Sequence, residues 1–430
     1  MSTKNKTINE ELFNFIKSSP TAFHATKEIS SKLCEAGFSQ LEEKKAWNIK
    51  QGGSYYVVRN SSSVIAFSIG KKMKTPAFRV IASHSDSPMF KVKENAEIIV
   101  HDRYVQLDTE GYGGMINYSW LDRPLSLAGR IVIRAKGHLE ERLVAFDEPT
   151  VLIPSLAIHM NRKVNEGVEL NKQKDMIALY GLNGEKTPKL RDKIAKECGV
   201  LAKDILGMDI FVYNHMEGTV WGADREYISA PRLDDLMCAY ASLRGFIDNK
   251  DGNYISVYCC FDNEEVGSKT RQGADSSMLS DTLQRIGEAL GWTKEEYHIA
   301  IANSLMLSED NGHAVHPSHP EKSDQLNRVY MNEGIVVKSH AGQKYASDAV
   351  GVAICRDICD RNDIPVQFFS NRSDEVGGST LGNLAISNVP IRTVDIGLAQ
   401  LAMHSSYETA GANDTEYMKR FSEAFYGYEE

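Results

Sequence analysis

The spacing of hydrophobic and polar positions along the chain changes twice. Residues 7–36 carry apolar side chains at helical spacing, with Leu12, Phe15 and Ile16 on one face. They read as two short helices broken at Ser18-Ser19-Pro20. Strands follow at about 54–59, 63–69 and 77–83. The last, Ala77-Phe78-Arg79-Val80-Ile81-Ala82, is largely apolar, as an interior strand of an α/β sheet should be. From about 90 to 160 short strands alternate with glycine turns, at 97–100, 104–107 and 130–134. A polar stretch and a helix near 189–206 precede an extended piece at 209–213. After about 230 helix and strand alternate to the end of the chain, restoring the α/β pattern, with a buried strand at 255–261. The economical reading is an α/β domain, discontinuous over 1–89 and 229–430, carrying a β-rich insert at 90–228.

Composition narrows the function without naming it. A chain of 430 residues with 42% hydrophobic content supports two ordinary globular cores. A net charge of −9 with no long basic run argues against a nucleic-acid or anionic-membrane binder. No stretch approaches the roughly 18 uninterrupted apolar residues of a membrane helix, and the N-terminus lacks the apolar core of a signal peptide. The seven cysteines form no Cys-x-x-Cys pair, and Cys259-Cys260 fall inside a buried strand. Reduced packing cysteines in a cytoplasmic protein fit best. Any metal must then be held by histidine and carboxylate.

Six residues spread over three hundred positions suggest one such site: His84, Asp234, Glu264, Glu265, Asp310 and His404. Glu264-Glu265 follow the buried 255–261 strand and precede a Val-Gly-Ser turn. Two adjacent carboxylates at a strand end can divide labour, one holding a metal and one moving a proton. His84 follows the 77–83 strand, with Asp86 placed to accept its second ring N–H. Asp310 comes after the apolar run 299–302, and His404 after the run 391–396. Carboxyl ends of strands are where open α/β sheets build their sites, so these positions can converge. Each has a plainer alternative. His84-Ser85-Asp86 can be a turn, Asp234 or Asp235 a helix cap, the Asp310 segment a polar loop, and His404 a satisfied buried histidine. No phosphate loop ends the Gly377-Gly378 stretch, and no nucleophile elbow occurs.

Several segments, taken in order, resemble the aspartyl aminopeptidase family, which is metallopeptidase family eighteen. They are Ser19-Pro20-Thr21-Ala22-Phe23-His24-Ala25, His84-Ser85-Asp86-Ser87-Pro88, Tyr112-Gly113-Gly114 and Trp120-Leu121-Asp122-Arg123-Pro124-Leu125. Ile153-Pro154-Ser155-Leu156-Ala157-Ile158-His159, Arg232-Leu233-Asp234-Asp235-Leu236 and Glu264-Glu265-Val266-Gly267-Ser268 follow. The last are His313-Ala314-Val315-His316-Pro317 and Val394-Asp395-Ile396-Gly397, leading to Met403-His404-Ser405. The resemblance implies an open mixed-sheet zinc-exopeptidase domain with an inserted dimerisation domain. It implies two divalent metal ions, zinc first, with cobalt or manganese also suited. His84 and Asp310 would hold one, Glu265 and His404 the other, with Asp234 bridging and Glu264 as general base.

It further implies that Asp86 supports catalysis and that His159 reaches a neighbouring active site. Lys338, His316 and Met403 would contact substrate. The assembly implied is a tetrahedral dodecamer built from dimers, and the substrates are peptides with a free N-terminal residue, Asp or Glu by preference. Two departures bear on that preference. Asn311-Gly312 stand where the family usually has Met-Ala, and His319 where asparagine is common. A related two-metal deacylase and a catalytically idle assembly protein remain as rival readings.

Overall fold

The computed structural model describes residues 3–71, 73, 76–249, 252–378 and 380–429, without the side chains of 3–6. It divides into two compact units, one of 1–86, 218–403 and 408–430, the other of 87–217 with 404–407. The first unit is built on a mixed sheet of nine strands. Four of them, Ile255–Phe261, Phe78–His84, Leu305–Glu309 and Arg392–Gly397, lie side by side and parallel at its centre. All side chains of the first three are buried, which explains their apolar runs.

Alternation along these strands feeds two cores. Ile81, Tyr258 and Cys260 point into one, Val80, Ala82, Val257 and Cys259 into the other. The first core is closed by the helices Thr3–Ser18, Ala22–Glu35, Leu233–Asp248, Ala349–Asn362 and Asp414–Tyr426. Met278–Ala289 and Lys294–Ala302 close the second. Two buried phenols fasten helices to the sheet: Tyr258 donates to Ala239 O at 3.0 Å and Tyr426 to Val257 O at 3.0 Å. All seven cysteines are free thiols, so the adjacent Cys259 and Cys260 serve as packing residues on opposite faces.

Two expectations shift here. The apolar run 299–302 ends the helix Lys294–Ala302, and the strand that carries Asp310 is Leu305–Glu309. The helix expected near 189–206 is Leu190–Glu197 only. Gly199, at φ +63°, follows its end, and the chain is extended again from Ile205.

The second unit is a six-stranded antiparallel sheet, ordered His138–Ala145, Leu125–Ala135, Ile205–Asn214, Met89–Val100, Tyr104–Tyr112 and Ala178–Leu182. Its own core gathers Phe90, Leu107, Trp120, Leu127, Ile131 and Val212. Thr219–Trp221 and Tyr227–Ala230, expected partly within the insert, pair with each other, and Tyr227–Ala230 pairs on its other side with Glu408–Gly411, in a five-stranded sheet of the first unit. Among the described residues no helix is long and apolar enough to cross a membrane.

Candidate metal centre

Register places the candidate residues at one end of the parallel strands. His84 is the last residue of its strand and lies opposite Phe261, the last of the neighbouring one. Three residues past Phe261 the chain turns into a short 3-10 helix, Glu264–Val266, entered through Asn263 at φ +65°. On the other side Asp310 directly follows Leu305–Glu309. Asp234 and Asp235 arrive from the entry of the helix Leu233–Asp248, where both keep non-helical backbone angles. Regular helix therefore starts after the pair, and the Asp235 carboxylate turns to the main chain of His84.

The outcome is a buried acidic cluster. One ligand atom each from His84, Asp234, Asp235 and Asp310 lie within 4.8 Å of one another, as do those of His84, Glu264 and Glu265. His84 Nε2 is 3.4 Å from Asp234 Oδ1, and its ring is 1% exposed. Nδ1 is held at 3.0 Å by the main-chain oxygen of Asp86, against 3.5 Å to the Asp86 carboxylate. The carbonyl is thus the nearer acceptor and fixes Nδ1 as the protonated nitrogen, leaving Nε2 for a metal. The Asp86 carboxylate faces the same nitrogen from farther away and has a second role. Its two oxygens also accept the backbone N–H groups of Glu264, at 3.1 Å, and Glu265, at 3.2 Å. Charge-assisted bonds to both residues set the orientation of the pair. Asp86→Ala should cost about 10–100-fold in kcat/KM, measured with metal saturating, through loss of that support.

Asp235 is a member of the cluster that the sequence offered only as an alternative cap. Its Oδ2 accepts the main-chain N–H of His84 at 3.3 Å, while Oδ1 is buried without a hydrogen-bond partner among the described residues. Glu408, also buried, accepts the Asp234 N–H at 3.0 Å and was not visible as a candidate at all. A repeated carboxylate, Asp234-Asp235, was the available signal for the first; nothing local marked the second.

Electrostatics show what the cluster lacks. Burial first, and then the charges of Asp310, Asp86 and Asp234, raise Glu264 to about 8 against the opposing pull of His84. Glu265 is raised well above the carboxylate range by burial and Asp234, and Asp235 by burial with Asp310 and Asp234. Burial also raises Asp310, partly countered by Lys338. For His84 burial works downward, but the Asp234 and Asp86 carboxylates outweigh it and lift the imidazole well above its ordinary value. Five carboxylates and one imidazole carry more negative charge than the protein neutralises here. This donor set of imidazole nitrogen and carboxylate oxygen suits a divalent cation such as zinc, cobalt or manganese.

Lys338 ends the strand Ile335–Lys338 and is 3% exposed, so it is no surface lysine. Its ammonium donates to Asn311 O at 2.8 Å and lies 3.8 Å from Asp310 Oδ2. His316 is exposed and accepts the Ser318 N–H at 3.2 Å; Met403 is half-buried. In the second unit, His159 sits in an exposed turn, closed by Met160 N–H to Ala157 O at 2.8 Å, and is not a strand-end packing residue. His404 belongs to the return segment 404–407 of that unit, at φ +64°, and its carbonyl accepts the Ile116 N–H at 3.0 Å.

Comparison with known proteins agrees with this geometry. Residues 15–426 match the family model described as aminopeptidase I zinc metalloprotease (M18). A relative from Clostridium novyi (strain NT), named "Probable M18 family aminopeptidase 2", is 43% identical over 99% of this chain and 100% of its own length. Among solved structures, the fold is similar to a chain in the complex of Ape4 and Nbr1, with TM-score 0.95 and 31% identity, covering 98% of this chain and 86% of that one. The S. cerevisiae mApe1 dodecamer is similar at TM-score 0.84 and 29% identity, covering 97% and 96%. With its histidine and carboxylates gathered at the ends of parallel strands, the chain belongs to the M18 family of aminopeptidase I zinc metalloproteases.

Proposed function

We propose that this chain is a two-metal aminopeptidase that hydrolyses the first peptide bond of peptides with a free N-terminus, acting best on Asp or Glu. The observation that carries it is the juxtaposition of a buried, charge-deficient ligand cluster with Glu264, a carboxyl raised to about 8. His84 and Asp310 would hold one metal and Glu265 and His404 the other, with Asp234 a ligand to both. Bound metal ions would supply Lewis-acid polarisation of the peptide carbonyl and lower the pKa of a water from 15.7 toward about 7.

The chain's own groups do the rest. Glu264, with part of the neighbouring carboxylate charge offset by bound cations, would titrate nearer neutrality, where a base is most effective. Glu264 takes a proton from water as the peptide carbonyl is attacked, then delivers it to the leaving amine. Asp86 holds Glu264 and Glu265 through their backbone N–H groups. Lys338 makes a single hydrogen bond among the described residues, so two of its three N–H donors remain for the carboxylate of an acidic first residue. Met403 and His316 line the approach. The exposed turn carrying His159, flanked by Leu156 at 63% and Met160 at 77% exposure, suits a contact with a second copy of the chain. There His159 stabilises the oxyanion of a neighbouring site, within an assembly of dimers that builds a tetrahedral dodecamer.

The test is a panel of free dipeptides, N-acetylated dipeptides and chromogenic amino-acid amides, run on metal-reconstituted protein. Release of unblocked first residues supports the reading; turnover of acetylated substrates alone replaces it with a deacylase. Lys338→Met should lower the ratio of kcat/KM for aspartyl over leucyl amide at least about tenfold, the worth of one charge-assisted contact. A panel that favours leucine removes the acidic preference and leaves the aminopeptidase.

A further inference from the structure

The residue after the ligand Asp310 is built into the site more thoroughly than a pocket wall requires. Asn311 is 2% exposed, and every polar atom of its side chain is engaged. Nδ2 donates to Leu233 O at 3.0 Å and to Gln400 Oε1 at 2.9 Å, and Oδ1 accepts the Cys238 thiol at 3.1 Å. Leu233 O can only accept, which fixes which way round the amide lies. These partners come from two places in the chain, the helix Leu233–Asp248 and the strand Ala399–Leu401. Leu233 directly precedes Asp234, Cys238 stands three residues past Asp235, and Gln400 lies on the strand Ala399–Leu401. One side chain therefore pins the Asp310 segment to two others.

What that pinning fixes is a carbonyl. The main-chain oxygen of Asn311 receives the Lys338 ammonium at 2.8 Å, while Asp310 Oδ2 is 3.8 Å away. An ammonium free to choose between a neutral carbonyl and an adjacent carboxylate closes on the carboxylate, at roughly 2.7–2.9 Å. Here it is kept short of that contact. We propose that Asn311 is a specificity-positioning residue: its buried amide locks the carbonyl that holds Lys338 off Asp310 and presents the ammonium to an acidic first residue.

This inference rests on the reading of Lys338 as the group that meets that residue. Apolar side chains at position 311 would remove all three side-chain bonds, freeing the carbonyl and letting Lys338 close on Asp310. The acidic substrate then loses its cation, whereas a neutral one loses nothing specific.

The experiment compares N311L, Q400M and K338M on aspartyl and leucyl chromogenic amides at saturating zinc. N311L should lower the aspartyl-to-leucyl ratio of kcat/KM about tenfold, with the change in KM for the aspartyl amide. Q400M removes one of the three bonds and should move the ratio the same way by less. Should N311L fail to fold, Q400M carries the test alone. Equal losses on both substrates, or an unchanged ratio, would overturn the proposal. If K338M lowers the ratio and the other two variants do not, Asn311 fails while Lys338 stands. If K338M leaves the ratio unchanged, the Lys338 reading itself falls, and Asn311's role falls with it.

Discussion

Glu264→Gln should lower kcat by about 10²–10⁴-fold, the range over which a positioned acid–base group acts, while the protein keeps its metal and its fold. The substitution is nearly isosteric and removes one half-buried carboxyl that the metal-free site already holds about 8. Glutamine can neither take the proton from water nor return it to the amine, and KM should change little because no binding contact depends on that proton. Steady-state kinetics beside metal analysis of the same preparation separates the outcomes. Loss of metal together with activity would make Glu264 a ligand and not a base. Retention of most of the activity would remove the proposed mechanism. Glu265→Gln gives the converse pattern, since the proposal has that side chain holding metal.

How far the site could be read from sequence depended on how local its causes were. The strands ending at His84 and Phe261 were legible because every side chain in them is buried, and their apolar runs say so. Asp310 was picked out, but its strand was misplaced. A short apolar run such as 299–302 has the same composition as a buried strand, and only the capping box at Thr293 and Glu296 marks it as a helix end. Asp86 was singled out for its spacing from His84, two residues away. Its stronger bonds run to Glu264 and Glu265, nearly 180 positions on, where spacing carries no information. Lys338 presented the opposite difficulty. A lysine is ordinarily solvated, and nothing in Ile335-Val336-Val337-Lys338 shows that the strand runs its last residue beneath a carboxylate. The two helices at the start of the first core were predictable from periodicity, but the extended backbone of Asp234 at the entry of Leu233–Asp248 was not.

Removal of metal should abolish activity and, with it, reverse how stability responds to pH. In the metal-free protein Glu264 and Glu309 are held about 8 and Asp414 about 7, in each case first by burial. Their ordinary values are 4.5, 4.5 and 3.8. A carboxyl raised on folding binds its proton more tightly in the native state than in the unfolded one. Its contribution is fully present below the unfolded value and is lost as pH rises through the folded one. The chelated protein should therefore lose thermal stability steadily between about pH 4.5 and pH 8. Metal acts with the opposite sign, because a cation stabilises the ionised carboxylates and must displace their protons to bind. Stabilisation by added zinc should grow over the same interval, with protons released on binding at pH 6–7. Melting curves with and without chelator, and calorimetry in buffers of different ionisation enthalpy, measure both. Part of the slope should survive zinc, because Glu309 and Asp414 lie outside the proposed ligand set and stay buried. A metal-free protein whose melting temperature holds or rises from pH 5 to 8 would mean that the cluster is already neutralised within the chain. The case for a metal centre at these carboxylates would then be lost.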